Sequence, residues 1–226
     1  MEKLVAENIS YTYQGKYQKI QVLKNVSCTF EKQKFYAVIG HSGSGKTTLL
    51  SVLAGLGIPG EGVVRVDGID IKEVGTDRHR RENVSVIYQA FNLFPALTVL
   101  ENVMYPMQIV HKSKKEAAEK AKTLLASVRI TEEQYKKFPA MLSGGQQQRV
   151  AIARALSSDA KVILADEPTG NLDTENGAVV IDILKHLVRE KGYCVIVVTH
   201  DLGIAAQADV VYRMIDGRLK REEKRE

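Results

Sequence analysis

Gly40-His-Ser-Gly-Ser-Gly-Lys-Thr47 is the stretch on which the fold of this chain turns. It matches the spacing G-x-x-x-x-G-K-[ST], and it stands where that spacing has meaning, between the apolar run 35–39 and the helical run 47–53. Gly40, Gly43 and Gly45 let the backbone curl so that its N–H groups face phosphate oxygens. The helix start that follows adds about half a positive charge. His41, Ser42 and Ser44 fill the variable positions, and Thr48 continues into the helix. Lys46 is placed to neutralise β- and γ-phosphates and the Thr47 hydroxyl to ligate magnesium. The expectation is a nucleotide triphosphate site that uses Mg2+. A chance glycine-rich turn is the alternative, and a flanking strand and helix make that coincidence rare.

Three more short apolar runs share the rhythm of 35–39: residues 84–88, 162–165 and 194–198. Continuous Val/Ile/Leu runs separated by helical patterns predict a parallel sheet covered on both faces, an α/β fold. Just past the four runs stand Gly40, Gln89, Asp166 with Glu167, and His200. Ligands bind at the carboxyl ends of such strands, so a phosphate loop, an amide, two carboxylates and an imidazole converge on one edge.

The remainder is arranged around that sheet. Residues 3–13 and 20–30 alternate apolar and polar side chains and predict antiparallel strands, with a loop at Gln14-Gly15-Lys16. Asp67-Gly68 and Asp216-Gly217 predict hairpin turns. Helical patterns cover about 98–111, 114–127 and 144–157. The expected organisation is one domain spanning residues 1–226. A helical subdomain occupies about 90–157, and residues 1–89 with 158–226 form the core and the antiparallel β part.

A length of 226 residues suits one domain with an insertion. Net charge is 32 − 27 = +5, with the basic residues scattered. The densest stretches, 112–122 and 220–226, interleave both signs, as on a solvated helix face or a loose tail, so no nucleic-acid track is expected. Cys28 and Cys194 lie in apolar runs and read as buried thiols. No apolar run reaches the roughly 18 residues that span a bilayer, and the N-terminus lacks a signal-peptide pattern. A soluble chain is expected, serving a membrane only by docking onto another protein.

Asp166, ending its apolar run, is placed to hold magnesium through water, and Glu167 to orient and deprotonate the attacking water. In Leu142-Ser-Gly-Gly-Gln146, Ser143 with Gln146 makes an ordinary capping box. Gly144 and Gly145 in the first turn each cost about 1 kcal/mol relative to alanine, so something must approach that backbone closely. A γ-phosphate bound by the amides and the Ser143 hydroxyl accounts for the cost. That phosphate need not be the chain's own, and a chain with both loops suggests two copies closing over shared ATP. His200 is a candidate γ-phosphate contact, and Gln89 a candidate for reaching magnesium or the attacking water. Phe91, Leu93, Phe94 and Pro95 form an apolar loop whose role is either core packing or partner docking, with docking favoured.

In this order the motifs resemble the ATP-binding cassette subunit of an ABC transporter, over essentially the whole chain. The resemblance implies that Tyr13 stacks on adenine, that Gln89 is the Q-loop glutamine and His200 the switch histidine. It also implies that Asn171-Leu-Asp173 crosses to the partner, bringing Asp173 to the nucleotide. Two identical subunits would pack head to tail, each Ser143–Gln146 segment completing the other's ATP site. A transmembrane permease would dock near Phe91 to Pro95 and hold the cassette on the cytoplasmic face of the membrane. The wording of residues 89–103 and 142–151 is most similar to the ATPases of lipoprotein-release, macrolide-export and antimicrobial-peptide systems, implying export or extraction of a peptide, lipoprotein or drug. His41 stands where proline is commoner and Gln33 where a turn glycine is frequent, and neither removes a catalytic group. Cassette ATPases acting on nucleic acid or the ribosome are the alternatives. The first place long coiled coils where this chain has only residues 48–141, and the second carry two cassettes.

Overall fold

The computed structural model describes residues 3–15, 18–158 and 160–222. The chain begins with strands β1 (Lys3–Gln14), β2 (Lys19–Glu31) and β3 (Phe35–Ile39), then helix α1 (Lys46–Leu53). Next come β4 (Glu61–Val66), β5 (Ile69–Asp70), α2 (Ile71–Val74), α3 (Thr76–Glu82) and β6 (Val84–Ile87). Three longer helices follow: α4 (Val99–Ile109), α5 (Lys114–Ser127) and α6 (Gly144–Leu156). The chain then runs through β7 (Val162–Asp166), α7 (Thr174–Lys191), β8 (Cys194–Thr199), α8 (Leu202–Ala205), β9 (Val210–Ile215) and β10 (Arg218–Arg221).

Two sheets result. A six-stranded sheet runs β10-β9-β3-β8-β7-β6, parallel throughout except for the β9–β10 hairpin. A four-stranded antiparallel sheet runs β2-β1-β4-β5. All five residues of β3 are buried, and the reason for their unbroken apolar run is visible in how they divide. Tyr36 and Val38 face the core shared with α1 and the antiparallel sheet, beside Phe30, Leu49 and Leu53. Phe35, Ala37 and Ile39 face a second core beside Val103, Leu125 and Ile152 of α4, α5 and α6. A strand covered on both sides has no position left for a polar residue.

Local chemistry sets the boundaries. Thr98–Glu101, Ser113–Glu116 and Ser143–Gln146 form reciprocal capping boxes at the starts of α4, α5 and α6. Both hairpin turns form as expected, Asp67 and Asp216 taking left-handed backbone with φ 50° and 48°. Strands β4 and β5 return to the antiparallel sheet after α1 and complete it. One reading needs amendment. Of the charged stretch 220–226, Lys220 and Arg221 belong to strand β10 rather than to a tail, and residues 223–226 lie outside those described, as does Lys16 of the expected first loop. Cys28 and Cys194 are buried, which pushes each thiol up to about 12.

Candidate functional site

The parallel strands deliver their carboxyl ends to one edge, and a cleft of about 760 Å³ opens there. Ser42, Gly43, Gly45, Lys46, Thr47 and Thr48 line it from the phosphate loop, with Gln89, Asp166, Glu167 and His200 from the neighbouring strand ends. Gly45 precedes α1 with φ 109°, a conformation that a side chain would strain, and no side chain caps the helix behind it. The first amides of α1 are therefore left to a ligand. Lys46 is buried, its Nζ donating to the carbonyls of Gly40 at 2.9 Å and His41 at 3.1 Å. Ser44 Oγ is buried with no hydrogen-bond partner among the described residues. The loop thus holds a cation, open amides and an orphaned hydroxyl, a set that fits a polyphosphate. His41 turns outward, Nδ1 lying 2.8 Å from Ser42 O and Nε2 3.6 Å from Asp216 Oδ1.

On the opposite wall, Thr47 Oγ1 donates to Asp166 Oδ1 at 3.1 Å. Burial raises the Asp166 carboxyl above its ordinary pKa. Glu167 adds to that rise, while the Thr47 hydrogen bond and Lys46 oppose it. A hydroxyl and a desolvated carboxylate at hydrogen-bond distance make an oxygen donor pair that fits Mg2+. No group of three or more His, Cys, Asp or Glu side chains able to hold a metal occurs among the described residues. Glu167 has left-handed backbone at φ 44°, its N–H donating to Val198 O at 2.9 Å. Its Oε1 lies 3.0 Å from His200 Nδ1, and His200 is exposed. Gln89 borders the cleft, but its amide is engaged elsewhere: Nε2 donates to Asn171 Oδ1 at 3.4 Å, and Asn171 Nδ2 donates to Gln89 O at 3.0 Å.

Other expected residues lie outside this cleft. Tyr13 is 49 % exposed on β1, its hydroxyl 3.3 Å from Thr48 Oγ1 and its ring edge-on to Tyr11 at 5.0 Å. Ser143 and Gln146 close each other's amides at the start of α6. The cost of Gly145, assigned above to an approaching phosphate, has a cause inside the chain: a Cβ there would run into the Asn176 side chain. Gly144 meets only ordinary contacts, Leu172 at 3.6 Å and Phe91 at 3.7 Å. Asn176 is in turn fixed by Asp173, which caps α7 by accepting the Asn176 N–H and Nδ2, each at 2.8 Å. The loop after Gln89 divides: Leu93 packs on the core while Phe94 and Pro95 are exposed.

Sequence reasoning missed Val22, Asn102, Arg154 and Asn176. Val22 walls the cleft from β2 beside Gly45, and no motif marks it. Asn102 is fully buried in α4 with its amide on loop carbonyls; an asparagine on an otherwise apolar helix face was the available signal. Arg154 carried no signal, since its partners are backbone carbonyls remote in the chain, and nothing local tied Asn176 to the distant Gly145.

The family model described as ABC transporter matches residues 23–170. The ABC transporter ATP-binding protein MJ0796 of Methanocaldococcus jannaschii is 40% identical over 224 residues, 96% of this chain and 95% of its own. YclH of Bacillus subtilis, another ABC transporter ATP-binding protein, is 39% identical over 217 residues, 96% of this chain and 95% of its own. The macrolide export ATP-binding/permease protein MacB of Neisseria meningitidis is 41% identical over 97% of this chain, which corresponds to 34% of that longer protein. Among solved structures, a dimeric MJ0796 cassette superposes with TM-score 0.90 at 37% identity, covering 99% of both chains. A dimeric post-hydrolysis state of the same cassette, bound to ADP and Pi, superposes with TM-score 0.90 at 36% identity, again covering 99% of both chains.

Proposed function

Because this chain belongs to the ATP-binding cassettes of the ABC transporter family, and is an ATPase of that family, we propose that it works as a homodimer closing over two Mg-ATP to drive a membrane permease. The observation that carries the reading is the cleft edge: Lys46, Thr47, Asp166, Glu167 and His200 come from three strand ends to one opening. In this reading Lys46 leaves the Gly40 and His41 carbonyls for the β- and γ-phosphates. The first amides of α1 and the orphaned Ser44 hydroxyl take further phosphate oxygens, and Tyr13 offers its exposed ring to adenine. Thr47 and Asp166, joined by Gln89, would hold Mg2+, which supplies charge neutralisation at the β- and γ-oxygens. Glu167 accepts the proton of the attacking water, and its hydrogen bond to His200 fixes which way the carboxylate faces.

Catalysis here is positioning plus electrostatic stabilisation. The Ser143–Gln146 segment borders no part of its own chain's cleft, so its Ser143 hydroxyl and its Gly144 and Gly145 amides are offered to the ATP of a second copy, with Asp173 beside the same junction. The dimers of MJ0796, to which this chain is similar over its full length, support that arrangement. Residues 1–226 form one ATPase domain, with 90–157 as helical subdomain and 1–89 with 158–226 as core. No helix among the described residues is long and apolar enough to cross a membrane. In this reading a permease docks at the exposed Phe94 and Pro95, and the likeness to MacB supports an export or extraction role for a peptide, lipoprotein or drug.

The test is Glu167→Gln. That variant is expected to bind Mg-ATP, hydrolyse it at least ~100-fold more slowly, and accumulate as a dimer in ATP by size-exclusion chromatography with light scattering. Rapid turnover, or a monomer at saturating Mg-ATP, would remove Glu167 from its role or the dimer from the mechanism.

A further inference from the structure

The loop that follows Gln89 is held by two side chains from two different helices. Phe91 and Asn92 both have left-handed backbone, φ 60° and 51°, which asparagine adopts readily but a bulky residue such as Phe91 keeps only where its surroundings hold it. Both carbonyls are held by Arg154 in the last turn of α6. Its Nη1 donates to Asn92 O at 2.6 Å and its Nη2 to Phe91 O at 3.1 Å. The same guanidinium lies 5.7 Å from the centre of the Phe94 ring, which packs on Tyr105 of α4 with centroids 4.7 Å apart. Further along, the buried Asn102 of α4 accepts the Phe94 N–H at 2.8 Å and donates to the carbonyls of Phe94, Leu97 and Thr98. Residues 94–98 are therefore held by hydrogen bonds to α4 and residues 91–92 by hydrogen bonds to α6, with the Phe94 ring touching both helices.

The division matters because of what stands at either end. Two residues before Phe91 is Gln89, whose amide now rests on Asn171 and must leave it to reach a cation or phosphate in the cleft. At the far end of α6 from Arg154, about 16 Å away at 1.5 Å per residue, is Ser143. A helix of 13 residues is stiff on that scale, and no other side-chain hydrogen bond found among the described residues joins α6 to residues 90–93. A planar, two-pronged donor suits two adjacent carbonyls, where a lysine ammonium would serve as a point charge.

We infer that Arg154 is a positioning residue that ties the loop after Gln89 to α6, so that nucleotide filling the cleft is felt together at the Phe94 ring and at the Ser143 end of the helix. The inference rests on the nucleotide-site reading above and adds a coupling element to it.

The chain contains no tryptophan, so Phe94→Trp places a single indole, excited apart from the nine tyrosines at its red edge, against Arg154. In Phe94→Trp, Mg-ATP is expected to change the emission maximum or intensity, while a fluorescent ATP analogue measures nucleotide affinity separately. Adding Arg154→Lys, which keeps the charge and most of the stem, is expected to shrink the emission change by roughly fivefold or more, because a point charge replaces the fork. The same substitution in the Glu167→Gln background is expected to weaken ATP-dependent dimerisation while leaving analogue affinity intact. An undiminished emission response in Arg154→Lys overturns the inference, as does a nucleotide-saturated parent with no response. Loss of analogue affinity in Arg154→Lys also overturns it, by placing the effect of Arg154 in the cleft itself. Failure of the parent to bind nucleotide would instead sink the functional reading on which the inference stands.

Discussion

α1 begins behind a glycine-rich loop and α6 opens with two glycines of its own, but α1 starts with its first amides uncapped while α6 starts with Ser143 and Gln146 closing each other's. The uncapped start sits in the cleft with a buried lysine, a desolvated carboxyl and an orphaned hydroxyl beside it. The capped start borders no cleft, and its second glycine is already filled by Asn176. An anion site that must work within one chain keeps its donors open at a cost in local stability. A helix start whose phosphate belongs to another chain is first made stable by itself and then has only its remaining amides to offer. In the proposed dimer the two regions would be halves of one site, differing in what each does before the other arrives.

That contrast can be broken most severely at Lys46. Lys46→Ala should lower ATPase activity by ~10³ or more, since it removes the main charge on the transferring group, with the loss visible in both turnover and ATP-analogue titration. Retained binding would mean that the open end of α1 is not where the phosphates sit. Ser143→Ala should reduce turnover by about 10² while leaving the affinity of the isolated chain unchanged. An equimolar mixture of Lys46→Ala and Ser143→Ala should recover activity, up to roughly a quarter of wild type, because random pairing gives heterodimers with one complete site. Activity no greater than the sum of the two variants would return both halves to the same chain.

Stability separates the two glycines of α6. Gly145→Ala should destabilise by about 1–3 kcal/mol through overpacking against Asn176, measured by urea denaturation. Gly144→Ala should be neutral or gain up to ~1 kcal/mol from helix propensity while still lowering turnover. Equal effects of the two substitutions on stability would remove the intrachain account of Gly145.

Acidity tests the other half. The Asp166 pKa is raised in the folded protein above its ordinary 3.8. As pH falls through the raised value, the ligand-free fold gains stability from this group, because the native state binds the proton more tightly than the unfolded chain. Magnesium affinity moves the opposite way, falling up to about tenfold per pH unit in that window as the proton competes. Asp166→Asn should abolish both trends in paired melting and Mg2+ titrations. The smallest effect is expected away from both regions, at Gln33 with φ 58°. Gln33→Gly should relieve the left-handed strain and raise stability by at most about 1 kcal/mol, or a Tm rise of ~2–4 °C, with nucleotide affinity unchanged.

Much of this arrangement was legible in advance. Strands β3, β6, β7 and β8 were each marked by a short apolar run because both faces are covered, and α4, α5 and α6 by their helical patterns; α7, capped by Asp173, was not singled out. The cleft was legible because strand ends carry the residues that face it. Arg154, Asn102 and Asn176 were not. Arg154 and Asn102 hold loop carbonyls, which every residue possesses, so no residue type at the far end announces the contact. The misreading of Gly145 has the same root: a glycine reports that something is close but not whether it is a ligand or a neighbouring side chain.

The sequence by itself determined the phosphate loop, the run of strands that carries it and the residues waiting at their ends, because periodicity and capping act over a few residues and leave a local trace. Only the tertiary structure decided that the open and closed helix starts lie apart, that Asn176 occupies the space beside Gly145, and that Arg154 ties α6 to the loop after Gln89. Those outcomes depend on groups far apart in the chain, Arg154 reaching carbonyls 62 and 63 positions away, and backbone carbonyls are the same whatever the residue.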